Sequence, residues 1–198
     1  MQLLETIQVC DGQFQNIEYH DKRFNTSRLE LFELNDFQFL ENLIKIPSEC
    51  SEGIFRCRVM YEREVQAITF IPYVYKEIKT LKLMNIGDWD YSYKYADRSF
   101  MTNLLVENKN FDEVIMTQHG FITDCTIANL AFWDGSNWFT PSTPLLKGTK
   151  RQQLLDKQVI RERQIRIEDL EKYEGICLIN AFRDLSIISL HPVAMIIL

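Results

Sequence analysis

The spacing of apolar residues in the first 75 positions predicts short strands. Leu4–Val9 is an apolar, partly β-branched run followed by Asp11 and Gly12, which is typical of a strand that ends in a turn. Phe55–Tyr61 and Val65–Tyr75 are similar runs joined by three charged residues. This pair predicts a hairpin.

Between these strands the spacing changes to that of a helix. Phe24 and Leu31 lie seven residues apart among charged neighbours, which predicts a helix over His20–Leu34. Phe37–Ile44 predicts a second helix, which the following proline ends.

The rest of the chain reads as short strands with few helices. Leu81–Tyr95 is interpreted as an aromatic-rich connection, and helices are predicted at Ser99–Glu107 and Gly148–Lys157. A helical turn is expected at Glu168–Tyr173. Strands are predicted at Asp112–Gln118, Phe121–Thr126, Asn129–Trp133, Trp138–Thr140, Gln164–Ile167, Cys177–Ala181 and Leu185–Leu190.

Strands outnumber helices, and many neighbouring strands are spaced as hairpins, so the pattern predicts an α+β fold. The pattern changes near residues 75 to 90. We therefore expect a small N-terminal α+β domain at residues 1–85 and a larger, β-rich C-terminal domain at residues 86–198.

Composition excludes several classes of protein. The formal net charge of -6 removes the usual electrostatic reason to expect a nucleic-acid partner. Five cysteines without a C-x-x-C pair favour a reducing compartment, and the three histidines form no ligand cluster, so no metal is expected. With no basic-then-apolar leader and no apolar run of about 18 residues, we expect a cytoplasmic protein with no membrane partner.

Several short motifs along the chain indicate a protein family, which composition alone does not. They resemble the class IV aminotransferase and 4-amino-4-deoxychorismate lyase family, in the order in which that family carries them, from residue 5 to residue 181. The matching segments are Glu5–Ile7, Asp11–Gly12, His20–Phe24, Lys94–Arg98, Gly120–Phe132, Phe139–Pro141, Leu145–Arg151 and Ile179–Ala181.

The resemblance implies a two-domain fold type IV enzyme, similar to D-amino-acid aminotransferase, with a reduced N-terminal domain. It further implies pyridoxal 5'-phosphate (PLP) as cofactor, held between the domains, and a homodimer. Lys94 matches the lysine that forms the Schiff base with PLP, and Asp124 stands where the family usually has the glutamate that faces the pyridine nitrogen. The alternatives are a solvated lysine and a turn aspartate.

The phosphate of the cofactor needs cationic side chains and backbone N–H groups, which a helix N-terminus supplies. By the same resemblance, the phosphate-binding candidates are Arg23, Gly148, Thr149, Lys150, Asn180 and Ala181. The alternatives are a helix-surface arginine, an ordinary glycine turn before a helix, and a plain strand end.

Two further residues are candidates for binding the substrate. Arg98 marks the lyase-like branch of the family, where it either neutralises a substrate carboxylate or holds the lysine segment in place. Tyr93 would face away from Lys94 in a regular strand, and a bulge or twist would bring it to the pocket.

The leading hypothesis is therefore a lyase that converts 4-amino-4-deoxychorismate into 4-aminobenzoate and pyruvate, a reaction of folate biosynthesis. One alternative is a class IV aminotransferase acting on a branched-chain or D-amino acid. A second is a PLP-binding module of weak activity, motivated by the short first domain and by aspartates at positions 97 and 124 where the family has asparagine and glutamate.

Overall fold

The computed structural model describes Met1–Ile197, which form two compact units. The first unit consists of Met1–Tyr75 together with Tyr93–Asp97, and the second consists of Lys76–Ser92 together with the chain from Arg98 onward. The chain thus returns to the first unit for the short segment that carries Lys94. The division into domains at residue 85 stays a prediction.

An antiparallel four-stranded sheet with the order β2-β1-β3-β4 forms the first unit. The strands are β1 at Leu3–Cys10, β2 at Gln13–Phe14, β3 at Ile54–Tyr61 and β4 at Val65–Pro72. The predicted first strand and the predicted hairpin are therefore confirmed. Alternate residues of β1 and β3 point into one core because successive side chains of a strand point to opposite faces.

The helix α1 at Ile17–Phe32 buries Phe24 in this core, and it confirms the predicted amphipathic helix. The predicted second helix is reduced to α2 at Leu40–Leu43. The reason is a competing set of hydrogen bonds: the Asn25 amide donates to the carbonyl of Gln38 and accepts from its N–H, both at 2.8 Å. Since both backbone groups of Gln38 are engaged, that residue cannot join a helical hydrogen-bond ladder.

The second unit contains two sheets, with the orders β13-β5-β6-β7 and β10-β9-β8-β11-β12. Its helices are α3 at Ser99–Glu107 and α4 at Thr149–Asp156. Its strands are β5 (Leu81–Asn85), β6 (Glu113–Gln118), β7 (Phe121–Cys125), β8 (Asn129–Trp133), β9 (Trp138–Pro141), β10 (Ile160–Arg163), β11 (Gly175–Ile179), β12 (His191–Pro192) and β13 (Ile196–Ile197). Short 3₁₀ helices lie at Ser48–Cys50, Ile167–Lys172, Ile187–Ser189 and Val193–Met195.

Three predictions for this unit were wrong. The predicted connection after residue 80 contains β5, which pairs in parallel with β6. The strand predicted at Gln164–Ile167 lies earlier, as β10; its three charged residues are exposed at a sheet edge, so no apolar pattern marks it. The strand predicted at Leu185–Leu190 is a 3₁₀ turn.

Strands β8 and β11 are buried on both faces. Leu130, Phe132 and Leu178 belong to one apolar cluster, whereas Ala131 and Cys177 belong to another on the opposite face. This explains the unbroken apolar runs of both strands, since a sheet covered on both sides has no polar face. Among the helices of residues 1–197, none combines the length and the apolar character needed to cross a membrane.

Candidate active site

A charged residue occupies an inward position of β1. Glu5 has no exposed surface and lies on the same strand face as Leu3 and Ile7, which are equally buried. Burying an ionised carboxylate costs free energy unless charged or hydrogen-bonding partners compensate. The surroundings of Glu5 therefore define a polar centre inside the first unit.

Helix α1 supplies the partners of Glu5 from two positions that share one helix face. Arg23 donates Nε to Oε1 at 2.7 Å and Nη2 to Oε2 at 2.5 Å, and His20 Nδ1 lies 2.6 Å from Oε2. Burial acts to raise the pKa of Glu5, but the charge and hydrogen bonds of Arg23, with the hydrogen bond of His20, bring it down to about 2. Glu5 is therefore ionised at neutral pH.

His20 is fully buried and its pKa is lowered from the ordinary value. Burial is the largest cause; Glu5 acts in the opposite direction, and the positive charges of Arg23 and Lys94 lower the pKa further. His20 is thus neutral at pH 7, with Nδ1–H donating to the carboxylate of Glu5, which can only accept.

Lys94 lies beside the start of β1. Its backbone carbonyl accepts from the N–H of Leu4 at 2.9 Å, and Ala96 N–H donates to the carbonyl of Gln2 at 2.9 Å. A Leu3–Tyr95 bridge continues the same antiparallel pairing. Two of the predicted site residues, Arg23 and Lys94, therefore belong to one charged group around Glu5 and His20 in the first unit.

Tyr93, the predicted substrate-binding tyrosine, belongs to the same unit. Its hydroxyl donates to Glu30 Oε2 at 2.9 Å, and its ring centroid lies 6.1 Å from that of Tyr95. Both rings pack against the apolar core beneath β1.

Asp124 lies near the end of β7 in the second unit, where it is 5% exposed. Its Oδ1 accepts from Asn129 Nδ2 at 2.6 Å, and its Oδ2 accepts from the backbone N–H of Leu146 at 2.9 Å. Within residues 1–197 it forms no ion pair. Burial raises the pKa of Asp124 to about 6, against the lowering effects of these hydrogen bonds and of the Arg151 charge.

Asn129 connects Asp124 to the beginning of α4. Its Nδ2 also donates to the carbonyl of Leu146 at 2.8 Å, and its Oδ1 accepts from the N–H of Gly148 at 3.1 Å. A Cβ on Gly148 would lie 2.0 Å from Asn129 Oδ1, so this position has room only for glycine. The structure thus brings two predicted site residues, Asp124 and Gly148, to the same amide.

The N-terminus of α4 follows directly, with Thr149 and Lys150 in its first turn. Backbone N–H groups at such a terminus suit a phosphate. Lys150 Nζ lies 3.5 Å from Asp184 Oδ1, an exposed carboxylate. Arg151 anchors the same turn, because it is buried, donates to the carbonyl of Pro141 at 3.0 Å and pairs with Glu162 at 2.5 Å.

Asn180 and Ala181 lie in a tight turn after β11. Asn180 and Arg183 exchange backbone hydrogen bonds, and Asn180 Oδ1 accepts from the N–H of Phe182 at 2.8 Å. Asn180 Nδ2 donates to the carbonyl of Ile127 at 3.0 Å. Its side chain therefore holds the loop that joins β7 to β8.

Arg98 acts on the same loop. Its Nη2 donates to the backbone carbonyl of Thr126 and lies 3.3 Å from Met101 Sδ. These contacts hold the loop between β7 and β8. The two roles considered for Arg98, binding a substrate carboxylate and holding the lysine segment, stay predictions.

Sequence reasoning did not assign a site role to Glu5 or Asn129, although both lie inside matched motifs. One signal was available for Glu5, since it occupies the inward phase of an alternating strand, where a lone charge needs a partner. The role of Asn129 depends on contacts with residues that lie 5, 17 and 19 positions away, which no local pattern shows.

Comparison with protein families and with single proteins finds related sequences. The family model described as "Amino-transferase class IV" matches residues 2–190. An uncharacterised protein of Haemophilus influenzae is 36% identical over 185 residues, covering 92% of this chain and 98% of that protein. A protein of Schizosaccharomyces pombe named "Putative aminodeoxychorismate lyase" is 36% identical over 81 residues, which are 38% of this chain and 35% of that protein.

Solved structures agree with the fold. The crystal structure of a "putative 4-amino-4-deoxychorismate lyase" from Haemophilus somnus 129PT superposes with a TM-score of 0.86 at 38% identity, covering 93% of this chain and 97% of that chain. A "Putative amino-acid aminotransferase" from Mesorhizobium loti has a TM-score of 0.78 at 23% identity, with coverage of 96% and 97%, and shows the fold alone. The predicted α+β fold type is confirmed.

We expect Gly148→Ala to disturb Asp124 through Asn129. The new methyl group cannot fit 2.0 Å from Asn129 Oδ1, so the amide has to move and loosen its hydrogen bond to Asp124. Urea denaturation should show a loss of about 1–3 kcal/mol, the range for overpacking. In the Asn129→Ala background the clash is absent, so the same substitution should cost clearly less; equal losses in both backgrounds would contradict this contact.

The Glu5 centre predicts a specific dependence of stability on pH. Because the pKa of Glu5 in the folded protein is about 2, below its ordinary 4.5, its stabilising contribution is complete above pH 4.5 and is lost as the pH falls. The stability advantage of the wild type over Glu5→Gln should shrink by about 2 kcal/mol between pH 6 and pH 3. Glu171→Gln, at an exposed site, serves as control, and a constant difference for Glu5→Gln would refute the assignment.

Proposed function

Because the chain belongs to the class IV aminotransferase family and is a PLP-dependent enzyme, we propose that it acts as a lyase on 4-amino-4-deoxychorismate. The products are 4-aminobenzoate and pyruvate. The Lys94–Arg98 motif and the 38% identical structure of a protein titled as such a lyase support this choice over transamination. A homodimeric assembly, a cytoplasmic location and a place in folate biosynthesis belong to the same proposal.

The buried carboxylate of Asp124 is the observation that carries the proposal. It accepts hydrogen bonds from Asn129 and Leu146 but forms no ion pair within the described residues 1–197, and its pKa is raised to about 6 by burial. A cation placed against it would favour its ionised form. The protonated pyridine nitrogen of PLP is such a cation, so the chemistry of this site fits the cofactor, although aspartate is one methylene shorter than the usual glutamate.

The other residues have three proposed roles. By the family resemblance, Lys94 Nζ would bind the cofactor aldehyde and Arg23 would bind the phosphate. The first turn of α4 and the turn at Ala181 are the other proposed phosphate-binding segments. Glu5 orients Arg23, since two hydrogen bonds to one carboxylate fix the plane of the guanidinium group.

When bound, PLP supplies an electron sink that acidifies the C–H bond next to the substrate nitrogen. Lys94 Nζ, as a free amine, would accept that proton and would then donate it to the departing three-carbon group, which leaves as pyruvate when its bond to the ring breaks. The carboxylate of Asp124 would favour the protonated form of the ring nitrogen. Arg98 keeps the loop beside Asp124 in place through the carbonyl of Thr126.

Lys94 provides the first test. Wild-type protein incubated with PLP and then reduced with borohydride should carry the cofactor mass on the peptide that contains Lys94. Lys94→Ala should lose this label and should form 4-aminobenzoate at least about 100-fold more slowly, the lower range for loss of a proton-transfer group. Lys109→Ala, which changes an exposed lysine, should keep both.

Two outcomes would contradict the proposal. Label on another lysine would remove Lys94 from its role. Formation of a keto acid from amino acid and keto acid pairs, without 4-aminobenzoate from aminodeoxychorismate, would assign the chain to transamination instead.

A further inference from the structure

The loop between β7 and β8 determines where Asp124 lies relative to Asn129. Cys125 N–H donates to the carbonyl of Ala128 at 2.9 Å, which closes a tight turn. This closure lets two residues five positions apart form the hydrogen bond of 2.6 Å between Asn129 Nδ2 and Asp124 Oδ1. The position of the Asp124 carboxylate therefore depends on the conformation of this turn.

Thr126, inside the turn, is held at each of its polar groups. Its hydroxyl donates to Glu113 Oε1, and its N–H lies 3.2 Å from the same oxygen and 3.2 Å from the carbonyl of Val114. Its carbonyl accepts from Arg98. Thr126 is 3% exposed, so water does not substitute for these partners.

Glu113 is itself a buried acid, 2% exposed, at the first position of β6. Val114 N–H donates to the same Oε1 at 2.9 Å, and within residues 1–197 Glu113 forms no ion pair. Burying a carboxylate costs free energy, which hydrogen bonds offset only in part when no ion pair is formed. The Oε1 atom of Glu113 therefore accepts hydrogen bonds both from Val114 and from Thr126 in the turn that follows Asp124.

We propose that Glu113 is a positioning residue for the cofactor, acting through Thr126 to fix the turn that aims the Asp124 carboxylate. This inference rests on the proposed function, in which Asp124 faces the pyridine nitrogen. A displacement of the carboxylate weakens a charge-assisted hydrogen bond, which depends on short distance and alignment. The chain of contacts runs from Glu113 to Thr126, and through the turn to Asp124 and Asn129.

The test compares variants of the buried hydroxyl. Thr126→Val keeps the shape of the side chain and removes the donor to Glu113, whereas Thr126→Ser keeps a hydroxyl. Thr117→Val is the matched control, because Thr117 is equally buried on β6 and donates its hydroxyl to the carbonyl of Met84 at 3.3 Å. Each variant is titrated with PLP, and its stability without cofactor is measured by urea denaturation.

We expect Thr126→Val to weaken PLP binding about tenfold, the lower range found when an outer hydrogen-bond partner of a metal ligand is lost. Thr126→Ser and Thr117→Val should bind PLP within about twofold of the wild type, even where Thr117→Val loses as much stability as Thr126→Val. Unchanged affinity in Thr126→Val, or an equal loss in Thr117→Val, would overturn the proposal.

A second pair of variants tests Glu113 directly. Glu113→Gln retains an oxygen that can accept from Thr126 and should bind PLP nearly as the wild type does. Glu113→Leu should weaken binding as much as Thr126→Val, and equal affinity in both Glu113 variants would contradict the positioning role. Failure of the wild type to take up PLP would refute the proposed function together with this inference, whereas normal uptake by the wild type and by Thr126→Val refutes this inference alone.

Discussion

The second unit is organised around one constraint, which is the burial of the acid group of Asp124. Within the described chain, no cation lies close enough to this group to form an ion pair. Asp124 is nearly inaccessible to water, and its two oxygens are engaged by Asn129 and Leu146. The same amide of Asn129 reaches Gly148, so the acid and the start of α4 cannot move independently. The apoprotein therefore carries a carboxylate whose ionised form is disfavoured, which a bound cationic ring would relieve.

The first unit solves the same physical problem in the opposite way. Glu5 is also buried, but the charge of Arg23 and two sets of hydrogen bonds lower its pKa to about 2. The charge of Glu5 is compensated inside the protein by its ion pair with Arg23, and the two hydrogen bonds of this pair orient Arg23. The two buried acids therefore differ, because Glu5 forms an ion pair with Arg23 whereas Asp124 forms no ion pair within residues 1–197. Lys94 lies in the same unit as Glu5, and its positive charge lowers the pKa of His20.

The elements with a clear period could be predicted from the sequence. Ser99–Glu107 and Asn129–Trp133 have the bounds that the apolar pattern indicated, because their spacing is regular and turn residues flank them. Elements decided by distant contacts could not be predicted. The chain around Gln38 is not helical because Asn25 occupies its backbone groups, and β10 is a charged edge strand.

The candidate site shows the same division. The candidate residues Lys94, Asp124 and Gly148 could be named from the sequence, because they lie in motifs that resemble those of the family. The supporting roles of Asn129, Glu113 and Thr126 could not be predicted, because these residues act through hydrogen bonds that only the folded chain brings together. Glu113 in particular lies outside every motif, in a strand that otherwise reads as ordinary core.

The most direct measurement is a carboxyl carbon NMR titration of Asp124, assigned by its loss in Asp124→Asn, without and with PLP. The apoprotein should titrate with a pKa of about 6, because burial disfavours the charge. With PLP bound, the pKa should fall clearly below that value, because an adjacent cation stabilises the carboxylate. A pKa that stays near 6 in the PLP-bound protein would contradict the pairing of Asp124 with the cofactor.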